Sequence, residues 1–330
     1  MKVLLVGTGS IGRRHLSSLR RLHAELRVEV LREGERAADL GTDGLGAGVS
    51  VVTDLDLALR QRPDLMVIAN PSAMHLRYLV AAIEHRIPFY AEKPVLTSDA
   101  DVQVLKRCIE VAGSQMVPSM VGCNLRFLPS LQALRTLVDS GELGRVVRAS
   151  FEAGQWLPDW RPASDYRASY SASRALGGGV ALDLIHEVDA ARWLLGDFTR
   201  VSGELWRGSS LEIETEDCAC LLMKAASGPV ATVQLDYVSR LPFRRYRLVG
   251  DQASAEWDLP GRSLAVSTAQ GRRELPLGPD AFDVGQTYIT AMSELLSAIQ
   301  AGTTSSQPIE EGLASLELVL RARAVSAIAS

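Results

Sequence analysis

The chain is short of lysine. Of its 35 basic residues only Lys2, Lys93, Lys106 and Lys224 are lysine; the remainder are arginine. Arginine-favouring codon usage explains the general trend. It leaves each lysine as a position where a compact, ionisable ammonium stands in place of the always-charged guanidinium. Aromatic residues are also few, with 5 Trp, 7 Tyr and 6 Phe, yet Phe151, Trp156, Trp160, Tyr166 and Tyr170 fall within one twenty-residue window. The four cysteines, Cys108, Cys123, Cys218 and Cys220, match no zinc spacing. Cys218 and Cys220 alternate on a strand-like stretch, which is half a metal site at most. Inert thiols, no metal and a reducing cytoplasmic location are therefore expected. No apolar run reaches the roughly 18–20 residues of a membrane span. A net charge of −4 argues against nucleic acid or an anionic membrane as the main partner. The opening Met1–Gly7 does not read as a secretion signal, because Gly and polar residues follow at once.

What is present is ample for a buried core: 330 residues, 47% of them hydrophobic. Two domains are expected at this length, since one domain usually takes roughly 100–200 residues. Up to about Gly122, apolar runs alternate with amphipathic stretches. Strands are expected at Val3–Val6, Leu26–Leu31, near Val51, at Leu65–Ala69, Pro88–Ala91 and Met116–Gly122. Helices fall between them, which predicts a parallel sheet covered on both faces. After Gly122 the rhythm changes. A helix near Leu131–Val138, a long strand Val146–Gln155, a polar aromatic loop and a helix Gly179–Leu195 precede a run of strand-like segments from Val201 to Ser267. That run predicts a mostly antiparallel sheet, closed by two helices at Thr287–Gln300 and Pro308–Ser326. The expected division is 1–122 for nucleotide binding and 123–330 for the rest.

Gly7-Thr8-Gly9-Ser10-Ile11-Gly12 is G-x-G-x-x-G between a strand and a helix. The first Gly permits the tight turn, the second lets backbone approach a diphosphate, and the third lets helix pack on strand. The free N–H groups and dipole at the helix start, from Ser10 and Ile11 onward, favour the diphosphate. Dinucleotide binding follows. An acid about 20 residues on would hold a ribose hydroxyl. Here Arg32 stands there, suited to a 2′-phosphate, with Glu33 beside it as the ribose acid. NADP is favoured over NAD on this ground.

Open α/β sheets bind ligands beyond the carboxyl ends of their strands. Two such ends carry informative residues: Asn70, Pro71 and His75 after one strand, Glu92 and Lys93 after another. Lys93 can donate a hydrogen bond to a substrate hydroxyl or relay a proton, which arginine cannot. Beyond His85 the chain holds one histidine, His186, after Gly177-Gly178-Gly179. Asp183 and Asp189 lie three residues to either side of it, on one face of the expected helix. An acid beside an imidazole orients it and stabilises its charged form, so His186 is the candidate base. Trp156, Trp160, Arg161, Asp165, Tyr166, Arg167 and Tyr170 combine aromatic faces with charge, which suits a polyhydroxylated ligand. A packed lid or an oligomer contact is the competing reading.

These residues resemble the Gfo/Idh/MocA family of NAD(P)-dependent oxidoreductases, which act mostly on sugars and cyclitols. The likeness rests on the glycine loop, Glu92-Lys93-Pro94, Asn124-Leu-Arg126-Phe127-x-Pro129, the glycine-rich stretch bearing His186, and Glu311-Gly312-Leu-Ala-Ser-Leu-Glu-Leu. It implies an α/β fold: an N-terminal Rossmann domain, then an α/β domain whose open, mostly antiparallel sheet forms a homodimer or homotetramer interface. It implies that Lys93 and His186 are catalytic and adds Arg126 to the substrate contacts. The family pattern Asp-x-Gly-x-His departs here to Asp183-Leu-Ile-His186, so Asp183, Asp189 or water can support the histidine. The loop from Leu157 resembles a branch linked to bacterial surface sugars, implying an amino sugar, sugar acid or nucleotide sugar. Hydride transfer between NAD(P) and a secondary alcohol carbon is the expected activity. A glycosidase that oxidises transiently and a non-catalytic sugar-sensing regulator are the alternatives.

Overall fold

The computed structural model describes residues 1–23, 25–32 and 45–326. Two compact units emerge. One comprises Met1–Asn124 with Gly285–Leu313; the other comprises Leu125–Val284 and the chain from Ala314. The first 122 residues are thus joined by a later return of the chain.

In the first unit, short runs of Val, Leu, Ile and Met make a sheet buried on both faces, which is why they read as continuous apolar segments. The strands are β1 (Lys2–Val6), β2 (Arg27–Leu31), β3 (Val49–Val52), β4 (Leu65–Ile68), β5 (Phe89–Ala91) and β6 (Ser119–Val121). Their order is β3-β2-β1-β4-β5-β6, and every neighbouring pair is parallel. This is the doubly wound order in which the chain reverses direction between β1 and β4. The helices are α1 (Ser10–Leu22), α2 (Leu55–Arg60), α3 (His75–Glu84) and α4 (Asp99–Ala112). Asp54 caps α2 through the Leu57 N–H, and Ser98 caps α4 through the Asp101 N–H. The returning segment covers the edge of β6. Val121 N–H donates to the Gln307 carbonyl at 2.9 Å, and Ile309 N–H donates to Ser119 Oγ at 3.0 Å. An open edge strand is thereby given partners.

The second unit begins with α5 (Pro129–Asp139) and β7 (Val146–Gly154). Then come α6 (Val180–Asp183), α7 (His186–Leu195) and seven more strands. These are β8 (Phe198–Trp206), β9 (Cys218–Ala225), β10 (Val230–Asp236), β11 (Phe243–Gly250), β12 (Ser254–Asp258), β13 (Ser263–Thr268) and β14 (Gly271–Glu274). The sheet order is β14-β13-β12-β11-β7-β10-β9-β8. All pairs are antiparallel except β7 with β10. Burial alternates along β9 and β10. One face packs under α5, α6 and α7, with Phe151, Tyr246 and Trp257 in a row at ring-centroid spacings of 4.9 and 4.6 Å. The chain ends in α8 (Val284–Ala301) and α9 (Ile309–Val325). Among the described residues no helix is long and apolar enough to cross a membrane, and no group of His, Cys, Asp and Glu is arranged to hold a metal.

Candidate active site

In a parallel sheet all carboxyl ends lie along one edge. Gly7 follows β1, Arg32 follows β2, Asn70 follows β4 by one residue, and Glu92 and Lys93 follow β5. The glycine loop shows a division of labour. Gly7 has φ +95°, a conformation costly for other residues, and a Cβ there would stand 2.6 Å from the Ala69 carbonyl oxygen. A Cβ on Gly12 would collide with the Gly7 carbonyl, so α1 can approach β1 only with glycine at that position. Gly9, by contrast, faces open space and caps α1 without any side-chain hydrogen bond. Ser10 and Ile11 open the helix, so its first N–H groups are left for a ligand. The residues fit a dinucleotide diphosphate. Glu33 lies outside the described residues.

Asn70 gives a second sign. Both polar atoms of its side-chain amide are buried, and neither has a protein partner among the described residues. Buried amides are ordinarily satisfied, which makes this one a candidate contact for a bound group. Pro71 begins the turn Ser72–Met74. His75 is fully buried and turned into the fold. Its Nε2 lies 2.9 Å from the Asn70 carbonyl and its Nδ1 lies 3.0 Å from the Val95 carbonyl. It pins the Asn70 loop to the chain after Lys93. Burial holds its pKa below the usual value, against the pull of the two carbonyls and Glu92.

Glu92 is buried and touches two partners. Its Oε1 lies 2.6 Å from Nε2 of His15, and its Oε2 accepts from the Lys93 N–H at 3.2 Å. Lys93 itself is half-buried. His15 stands in no motif of its own. Its signal was its place on the buried stripe of α1, with Gly12, Leu16 and Leu19.

In the second unit, Gly178 and Gly179 admit the chain into a crowded corner. A Cβ on Gly178 would strike the Tyr170 and Ser171 carbonyls. The helix expected over Gly179–Leu195 is instead two helices, broken at Leu184–Ile185, where Leu184 has φ −98° and ψ 35°. Asp183 ends α6 and His186 begins α7, so they do not share one helical face. Asp183 is buried. One of its oxygens accepts from Tyr237 at 2.6 Å and the other accepts from Tyr170. Burial and the Asp183 charge push both phenols well above the ordinary tyrosine pKa. His186 is half-buried at the head of α7. Asp189, the other acid considered for His186, carries an ion pair. It receives both Arg126 Nε at 2.8 Å and an Arg126 terminal nitrogen at 2.6 Å. Arg126 is therefore a buried ion-pair partner of Asp189.

The aromatic loop folds as short helical turns. A cavity of about 270 Å³ is lined there by Trp160, Arg161, Ser164, Asp165 and Tyr166, among others. Trp160 donates to the Gln155 carbonyl and meets Tyr237 edge-on at 5.3 Å. The Arg161 guanidinium lies 5.7 Å from the Tyr170 ring. Trp156 lies under Arg240 at 3.7 Å. Asp165 and Arg167 are exposed and bonded to each other, and Arg167 also reaches Glu212 at 2.6 Å. The Arg167 backbone and side chain hold the Asp165 carboxyl below its usual range.

A β3-β2-β1-β4-β5-β6 sheet with a glycine cradle defines a nucleotide-binding fold of the Rossmann type. Residues 1–122 match the oxidoreductase family with an NAD-binding Rossmann fold, and residues 131–256 match the GFO/IDH/MocA C-terminal domain. The chain belongs to the Gfo/Idh/MocA family of oxidoreductases, with an NAD-binding Rossmann domain. Among its relatives, inositol 2-dehydrogenase 2 of Mycolicibacterium vanbaalenii is 27% identical over 93% of this chain and 87% of its own. D-apiose dehydrogenase of Rhizobium rhizogenes is 28% identical over 71% of this chain and 62% of its own. Among solved structures, levoglucosan dehydrogenase in complex with NADH and levoglucosan superposes with a TM-score of 0.84 at 19% identity, covering 99% of this chain and 97% of that one.

Proposed function

We propose that the protein interconverts a secondary alcohol and a ketone on a sugar-like or cyclitol substrate, with Lys93 and His186 as its proton-handling residues. The observation that carries the reading is the carboxyl edge of the first sheet. There the glycine cradle, the Asn70 amide, which has no partner among the described residues, and the Glu92–Lys93 segment lie at successive strand ends. A bound nicotinamide supplies or takes the hydride. Gly7, Gly9, Gly12, Ser10 and Ile11 hold the diphosphate, and Asn70, Pro71 and Glu92 shape the floor. Arg32, directly after β2, offers a cation for a 2′-phosphate and gives NADP the advantage over NAD.

Lys93 donates a hydrogen bond to the reacting oxygen. His186 takes the hydroxyl proton in the oxidative direction and returns it in the reductive one. Asp183, held by two phenols, shapes the backbone turn that presents His186. Trp160, Arg161, Tyr166 and Tyr170 form a wall of the sugar pocket. The second unit's sheet, whose outer face carries Arg148, Glu152, Arg245 and Arg247, mates copies of the chain. The dehydrogenases of inositol and D-apiose among the relatives support a polyol substrate.

The test is cofactor reduction followed at 340 nm across cyclitols, hexoses, sugar acids and nucleotide sugars. Steady accumulation of reduced cofactor with at least one class is expected. Hydrolysis without net reduction, or binding without turnover, would overturn the reading.

A further inference from the structure

We propose that His15, on the dinucleotide-binding helix α1, is a positioning residue for Lys93 and acts through Glu92. This rests on the assignment of Lys93 made above. The chain of contacts is short. His15 Nε2 lies 2.6 Å from Glu92 Oε1, and Glu92 Oε2 accepts from the Lys93 backbone N–H at 3.2 Å. One carboxylate thus bridges the helix that opens on the diphosphate cradle and the backbone of the lysine.

The surroundings are built for that bridge. Gly122, just past β6, would place a Cβ only 3.0 Å from Glu92 Oε2, so glycine there leaves room for the carboxylate. His15 is fully buried, with its ring 4.5 Å from the Tyr90 ring and 5.9 Å from that of Tyr288. Its Nδ1 is buried with no protein partner among the described residues. The ring's polar contact with protein is therefore directed at Glu92. A buried acid–imidazole contact is weak evidence of stabilisation in itself, because apolar side chains of the same volume commonly do as well. What it provides is a fixed geometry. A reactive group displaced by about 1 Å can lose two orders of magnitude in rate.

The role differs from a structural one in what it predicts. A purely structural His15 affects the fraction of protein that folds, and leaves turnover per loaded site alone. A positioning His15 affects turnover per loaded site. It leaves diphosphate binding alone, because the cradle is backbone and glycine.

The experiment measures turnover per cofactor-loaded site, with loading read by fluorescence titration of the reduced cofactor, in the full-length protein. In His15→Leu turnover falls by about tenfold or more, while cofactor affinity changes by less than about threefold. His15→Gln, which can still donate to Glu92, recovers turnover to within about threefold of wild type. In a Lys93→Met background His15→Leu adds no further loss, because the two act as one unit. Should His15→Leu fail to fold, Glu92→Gln gives the same readout in turnover per loaded site. It keeps the volume, removes one acceptor from the bridge and lowers turnover in the same way. Wild-type turnover per loaded site in whichever of these folds, a Gln variant as slow as the Leu variant, or additive losses with Lys93→Met would overturn the proposal. Wild-type turnover in Lys93→Met alone would instead overturn the assignment of Lys93, and this inference with it.

Discussion

The Tyr237 hydroxyl donates to Asp183 at 2.6 Å, from β10's end to the last residue of α6. Tyr170 donates to the other carboxylate oxygen. With both oxygens engaged by phenols, Asp183 anchors the turn that ends α6 and starts α7 at His186. Removing one phenol leaves a buried carboxylate short of a donor. Tyr237→Phe should destabilise the fold by about 1–3 kcal/mol, read from denaturant midpoints. Both phenols are pushed well up in pKa, first by burial and then by the Asp183 charge. Tyr237 and Tyr170 should therefore stay protonated through an alkaline titration followed at 295 nm until the protein unfolds. A phenol of either residue ionising near pH 10 in the folded state would contradict this.

Arg126 and Asp189 form a doubly bonded pair inside the second unit, and Ser315 adds a hydrogen bond to Asp189 at 3.0 Å. Both side chains are less than a tenth exposed. Breaking such a pair by removing one partner strands the other charge, at a cost of about 3–5 kcal/mol. Arg126→Ala should lower stability by that amount and leave the substrate KM of the surviving folded protein near wild type. A raised KM with unchanged stability would return Arg126 to the substrate site.

His75 makes stability depend on pH in a definite direction. Burial lowers its folded-state pKa below the ordinary 6.5. A neutral ring has one N–H, so only one of its two carbonyl neighbours receives a proton; the second bond that protonation would add is outweighed by the loss of hydration. Below about pH 6.5 the unfolded chain takes up a proton that the folded chain refuses. Stability from this group is full above that pH and declines as pH falls, with a slope of at most about 1.4 kcal/mol per unit. His75→Gln should show a shallower decline between pH 6.5 and 5 than wild type. Parallel declines would contradict the assignment.

Cys218 and Cys220 lie two apart on β9 and differ in reactivity. Burial, then Asp217 and Asp236, push the Cys218 thiol up to about 12, so it stays protonated at neutral pH. Cys220 is exposed. In protein diluted to single chains, iodoacetamide at pH 8 should label Cys220 well ahead of Cys218 in peptide mapping. Equal labelling would contradict the partial burial of Cys218.

The first sheet was readable because each strand is a continuous apolar run and each turn carries its own chemistry. Leu65–Ile68 is buried along its whole length, and Gly7 to Gly12 announce the cradle. The strands of the second sheet were readable through alternation, with one exception. Gly271–Glu274 reads Gly-Arg-Arg-Glu and is exposed throughout, so this edge strand β14 carries no hydrophobic signal. The parallel pairing of β7 with β10 is a matter of topology, which local pattern does not encode. The break at Leu184–Ile185 was hidden because Leu, Ile and Val suit a continuous helix, while the turn there is fixed by what Asp183 binds. The partners of Arg126 and His15 lie 63 and 77 residues away, so no local spacing announces them. The hydrogen bonds of His75 to the Asn70 and Val95 carbonyls, likewise, belong to the packed fold and not to any motif.

The most direct test of the account is turnover of Lys93→Met and His186→Ala, with cofactor affinity measured alongside. Acid–base groups contribute roughly 10²–10⁴ in rate, so each variant should lose at least about a hundredfold in kcat with the best substrate of the panel. Cofactor affinity should stay near wild type in both, because the glycine cradle is untouched. Wild-type turnover in both variants would contradict the account.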